Sequence, residues 1–115
     1  MRAINLSKGS VLVERGEMAT SVFSRAKGLL GRSGISRGEG LLIRPCQSVH
    51  TFFMRFPIDV LFLDRENRVI HMELNLRPNR LSRHCFRARA VLELPAGTAC
   101  ATMTELGDKL AIVSS

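Results

Sequence analysis

The sequence predicts a mainly β (α+β) domain, a small β-barrel or sandwich of about seven or eight short strands with one main helix and one short helix. Three observations carry that prediction. Apolar runs of strand length recur between turn signals along the whole chain. The stretch "RVIHMELNL" alternates residue by residue, the period of a strand. Only the segment around residues 22–30 has the spacing of a substantial amphipathic helix, whereas a doubly wound parallel sheet needs repeated crossover helices. At 115 residues the chain reads as one domain, 1–115, large enough to bury a core without disulfides or metal.

In order, "AINL" and "VLVERG" flank the turn "SKGS" and read as a strand pair. Val22, Phe23, Ala26, Leu29 and Leu30 then fall on one helical face, with Thr20 as cap, Gly31 or Gly34 as terminator, and Arg25 and Lys27 outside. Gly28 weakens that helix by about 1 kcal/mol relative to alanine. "GRSGISRGEG" lacks periodicity and reads as a mobile connection; whether the loop over 31–40 is a lid is left open. "LLIRP" is a strand stopped by Pro45, and "VHTFFMRF" is extended up to Phe56, which precedes a proline. Parity puts His50, Phe52, Met54 and Phe56 on one side of it and Thr51, Phe53 and Arg55 on the other. "IDVLFLD" resumes as an apolar strand. After the turn "DREN", Ile70, Met72, Leu74 and Leu76 share one side of the next strand, completing a hairpin. "AVLEL" and "KLAIV" are strands, separated by "PAGTACATM", one or two helical turns capped by Thr98.

Composition narrows the ligands. The aromatic residues are six Phe with no Tyr or Trp, so any stacking of bases or sugars falls to Phe. A net charge of +7 arises from 17 Lys+Arg against 10 Asp+Glu, and 14 of the cations are Arg, the better fork for carboxylate and phosphate. Anionic partners follow; arginine-rich coding in a GC-rich genome gives the same bias without function. Cys46, Cys85 and Cys100 are odd in number and far apart, which suits a reducing, cytoplasmic setting. The first residues lack the apolar run of a signal peptide, and no window approaches a membrane span.

Several chemistries find no support. Cys46, His50, His71, His84 and Cys85 lack the close pairs of zinc sites, so no metal is expected. Glycine-rich nucleotide loops and the nucleophile elbow of serine hydrolases are missing, and no cofactor is expected.

Two constellations remain. In "HTFFMRFPID", His50, Met54, Arg55 and Asp59 set polar groups among bulky apolar ones, where an unsatisfied group costs about 1–3 kcal/mol. Arg55 and Asp59 either pair with each other, or with Arg25 or Glu93, to fix the proline bend, or they hold a ligand. Arg77, Arg80, Arg83, Arg87 and Arg89 form a stretch without an acid: a basic rim for a phosphate, carboxylate or nucleic-acid backbone, or a solvated connection. The absence of interleaved aromatics makes nucleic acid the weaker partner.

"RAKGLLGR" from Arg25, "SVHTFFMRFPIDVLFLD" from Ser48, "VLELPAGT" from Val91 and "GD" at Gly107 and Asp108 occur in an order and spacing that resemble domain of unknown function family 192 (DUF192), found in bacteria and archaea. The resemblance covers nearly the whole chain. It implies a compact, mainly β barrel or sandwich with short helices, assigns no activity, and points to His50, Arg55, Asp59 and Arg25 as the polar positions of interest. Many relatives look exported, and no such leader is read here.

The functional expectation is a binding module in which His50, Met54, Arg55, Asp59 and Arg25, with the basic rim, hold a small anionic ligand or an acidic peptide. Whether the protein is an enzyme is left open. The alternatives are an enzyme with His50 as general base oriented by Asp59, and nucleic-acid binding through net charge.

Overall fold

A computed structural model describes residues 1–114. Its strands are β1 (Arg2–Asn5), β2 (Ser10–Ala19), β3 (Gly38–Ile43), β4 (Ile58–Leu63), β5 (Val69–Leu76), β6 (Ala90–Pro95) and β7 (Leu110–Val113); its helices are α1 (Val22–Lys27) and α2 (Thr98–Ala101). The strands form one seven-stranded sheet in the order β5-β4-β6-β3-β2-β1-β7. Only β2 and β3 run parallel, and α1 lies in the connection between them.

Irregular pairing curls this sheet. Register shifts occur between Ala3 and Ile4, Val13 and Arg15, Ile58 and Val60, and Phe62 and Leu63, and such bulges bend a strand and raise its twist. The two edges consequently approach each other. Arg68 bridges Lys109, the Val69 N–H donates to the Asp108 carbonyl at 2.9 Å, and the Leu110 N–H donates to Asn67 O at 2.9 Å. The result is a half-barrel, in agreement with the predicted mainly β class.

Both faces of the central strands are buried. Inside the curl, Leu42, Leu61, Leu92 and Leu94 pack with Leu12, Val13 and Leu110. Outside, Leu41, Ile43, Ile58, Val60, Phe62 and Val91 pack beneath Leu29, Val49, Met54 and Ala88. Burial on both sides explains why "IDVLFL" is a continuous apolar run. The outer layer is made of two irregular arms, residues 46–54 and 77–89. Thr51, fully buried, ties them together: its N–H donates to Arg80 O at 2.8 Å, its hydroxyl donates to Arg77 O at 2.5 Å, and Asn79 N–H donates to Thr51 O at 2.8 Å.

Four local expectations are corrected. α1 is shorter than predicted and capped by Ser21, whose hydroxyl accepts the Ser24 N–H at 3.0 Å. It ends at Gly28, whose φ of 49° suits a residue without Cβ, so Val22 and Phe23 stay 77% and 82% exposed while Leu29, past the break, supplies the buried anchor. "GEG" is the start of β3 rather than loop, because it pairs in parallel with Val13 to Gly16 of β2; only glycine fits at position 40, where a Cβ would lie 2.6 Å from Val13 Cγ2. "VHTFFMRF" is not extended; it turns at Phe53, with φ 66°, which buries Met54 and leaves Phe53 87% exposed. The β5 alternation is split by the bulge, so Met72 packs on the inner cluster and Ile70 and Leu76 on the outer one.

Candidate functional site

A cleft of about 490 Å³ opens on the outer face, between the end of α1, the arm beginning at Pro45 and the returning segment 84–89. Its size is that of a small-molecule site. Leu29, Leu30, Ile43, Val49, Met54 and Ala88 give it apolar walls, while Arg25, Lys27, Arg89, His50 and His84 supply cationic or ionisable groups. Arg25 projects from α1 and is anchored to the wall by donating from Nη1 to Pro45 O at 3.0 Å. His50 lies stacked on Phe52, with ring centroids 5.3 Å apart, and its backbone bridges Leu81; His84 meets the Phe86 ring edge-on at 4.4 Å. The two imidazoles are exposed at the surface of the cleft.

The base of the cleft is Glu93, on the central strand β6. Its cross-strand partners are Leu41 and Val60, both of the outer cluster, so its side chain stands on the cleft side of the sheet. It is 3% exposed and forms no ion pair among the described residues. Burial pushes its carboxyl up to about 7, and no hydrogen bond or ion pair among the described residues offsets it. Beside it, burial pushes the Cys46 thiol up and the charge of Glu93 adds to the effect; the thiol donates to Ser48 O at 3.1 Å.

The predicted site residues separate into three groups. Arg25, His50 and Met54 line the cleft together, and Arg89 joins them from the basic stretch. Arg55 is exposed and pairs with no carboxylate among the described residues; Arg83 and Arg87 are likewise exposed and off the cleft, and Arg77 and Arg80 border a separate groove with Glu73. Asp59 lies on the opposite face. Its Oδ2 accepts the N–H groups of Gly97 and Ala99 at 3.0 Å each, and its Oδ1 accepts that of Asn75 at 2.9 Å.

Asp59 is therefore the remote cap of α2, whose own N-cap, Gly97, has no side chain to offer; Thr98, the predicted cap, makes no such bond. Both the Arg55–Asp59 pair and the catalytic pair of His50 with Asp59 are overturned, since the carboxylate is consumed by backbone donors across the sheet. Sequence reasoning treats Glu93 only as an ion-pair partner, Lys27 only as an outward helix residue, and Cys46 and His84 only among metal ligands without close pairs, and so does not bring them together at a cleft. A signal for Glu93 exists: it is the lone acid inside the apolar run "AVLEL".

Residues 4–112 match the profile of DUF192, whose description reads "Uncharacterized ACR". The chain belongs to this family. A UPF0127 protein of Pyrococcus horikoshii is 34% identical over 112 residues, covering 93% of this chain and 95% of that one, and one from Thermococcus sibiricus is 31% identical over 111 residues, covering 93% and 71%. Among solved structures, a protein of unknown function from Novosphingobium aromaticivorans superposes with a TM-score of 0.83 at 25% identity, over 96% of this chain and 82% of that one. Another, from Sinorhizobium meliloti, bears a conjectural name as a transcription regulator, with a TM-score of 0.80 at 25% identity over 96% and 89% of the two chains. No function is attached to the DUF192 family by these relationships, and no helix among the described residues is long and apolar enough to cross a membrane.

Proposed function

We propose that this DUF192 domain is a binding module for a small anionic ligand, held in the cleft beneath α1. The observation that carries the reading is the convergence of Arg25, Lys27 and Arg89 on a concave, apolar-walled space of about 490 Å³. A cation at the mouth of such a space attracts an anion, and the apolar walls desolvate it enough to strengthen the pairing. Arg25 is the leading anion contact, because its anchored guanidinium is already ordered and loses little freedom on binding. His50 and Met54 shape the entrance and wall. A small ligand is favoured over an acidic peptide because these cations surround a cleft, while Arg77 and Arg80 share their groove with the acidic Glu73.

Thermal denaturation with phosphate, short carboxylates and nucleotides tests the reading. A ligand at ten times its Kd adds about 1.4 kcal/mol, a rise in Tm of roughly 5 °C for a domain of this size. Arg25→Ala and Arg89→Ala reduce that rise, and Arg77→Ala leaves it unchanged. No shift with any probe overturns the proposal.

A further inference from the structure

We infer that the ligand of this cleft is a zwitterion: an anionic group held at the mouth by Arg25 and its cationic neighbours, and a protonated amine or guanidine held at the base by Glu93. The inference rests on the proposed anion-binding role of the cleft and adds the chemistry of the ligand's other end.

Glu93 is the reason. A carboxylate buried to 3% exposure is costly unless hydrogen bonds or ion pairs compensate it, and among the described residues Glu93 makes neither. The chain does not lack cations, since it carries 17 Lys+Arg, and Arg25, Lys27 and Arg89 border the same cleft. Yet the ion pairs of the described residues leave Glu93 out, and Arg25 turns Nε and Nη1, two of its five N–H donors, to Ser21 O and Pro45 O rather than to Glu93. A purely structural acid would be expected to have partners, as Asp59 has on the other side of the sheet. Glu93 instead faces the cleft, with Cys46 as its recognised electrostatic neighbour. The missing partner is supplied from outside the chain.

The polarity of the cleft orders the two ends. Cations at the mouth repel an entering ammonium and draw in a carboxylate or phosphate, so the anionic end stays at the mouth and the donor end reaches inward. A cation beside Glu93 favours its ionised form, so binding near neutral pH releases a proton from that carboxyl. The apolar walls between the two poles suit a short hydrocarbon spacer, and a volume of about 490 Å³ accommodates molecules larger than the simplest amino acids.

Hexanoate and 6-aminohexanoate, which differ in the terminal amine, test this by titration calorimetry on the intact wild-type protein and on Glu93→Gln. The amino compound binds the wild type at least tenfold more tightly, with proton release detected by comparing buffers of different ionisation enthalpy. In Glu93→Gln its advantage over hexanoate falls to less than twofold. Hexanoate binding as well as or better than 6-aminohexanoate to the wild type overturns the zwitterion inference and leaves the anion site standing; that comparison needs no variant to fold. Failure of both compounds, together with phosphate, to bind overturns the anion-binding reading and this inference with it.

Discussion

Asp59 and Glu93 are carboxylates on adjacent central strands, β4 and β6, one register step apart: Asp59 pairs with Leu94 and Glu93 with Val60. They are 1% and 3% exposed. Their surroundings are opposite. Asp59 accepts from the backbone N–H groups of Asn75, Gly97 and Ala99, whereas burial acts on Glu93 without compensation. Similar burial thus separates two roles: a carboxylate whose lone pairs are spent on backbone donors holds the fold, and one left open toward a cleft is available to a ligand.

Breaking the first member of the comparison has the largest effect. Asp59→Ala strands three backbone donors and frees the start of α2, and stability falls by about 3–5 kcal/mol in urea denaturation. Asp59→Asn retains part of the acceptor capacity and loses less. An equal cost for Glu93→Ala and Asp59→Ala would erase the distinction between the two acids.

The second effect is a pH dependence with a fixed sign. Glu93 titrates near 7 in the folded chain against 4.5 for a free carboxyl, so the folded state binds the extra proton between those values. Its contribution is most favourable below pH 4.5 and is lost as pH rises through 7, a change of the order of 3 kcal/mol. Urea titrations at pH 5 and pH 8 show that slope in the wild type, and Glu93→Gln, lacking the titration, is flatter and gains relative to the wild type at pH 8.

Asp108 provides the reverse case. Burial pushes its carboxyl up, but hydrogen bonds from the Asn5 amide, the Glu105 N–H and Lys8, with the Lys8 charge, outweigh that and hold it below 3.8. Its stabilisation is complete above pH 3.8 and is lost as pH falls through the lowered value, so Asp108→Asn is less stable than the wild type at pH 7 and the gap in urea denaturation narrows as pH falls below 3.8. The smallest effect belongs to α1: Phe23→Ser changes stability by less than about 0.5 kcal/mol, because that ring is 82% exposed. A large loss there would mean that the exposed α1 surface is covered in solution.

What was legible in the sequence was the part governed by short-range pattern. β4 and β6 are recognisable as apolar runs, β5 as an alternation, and "PAGTACATM" as a short helix. The family motifs, spread between Arg25 and Asp108, fall within residues 4–112 that match DUF192. Periodicity misled where a neighbour decided the outcome. The apolar face of α1 finds no core because Gly28 ends the helix before Leu29, and "GEG" becomes strand because it pairs in parallel with β2 from Val13 to Gly16. At the candidate site, Arg25, His50 and Met54 were legible as polar or bulky groups within the motifs, but their meeting with Arg89 and Glu93 depends on how two irregular arms fold over β6.

The sequence by itself determined the β class, the positions of the central strands, the excess of arginine and the family, because each depends on residue type and spacing along the chain. Only the tertiary structure decided which acid is structural and which faces a cleft. Both sit in apolar strands, and neither residue's local pattern reveals that backbone donors from residues 75, 97 and 99 converge on Asp59 while none among the described residues reaches the Glu93 carboxyl. Electrostatic compensation is set by distance in space, and the pairing of β4 with β5 on one side and β6 on the other brings those donors to Asp59.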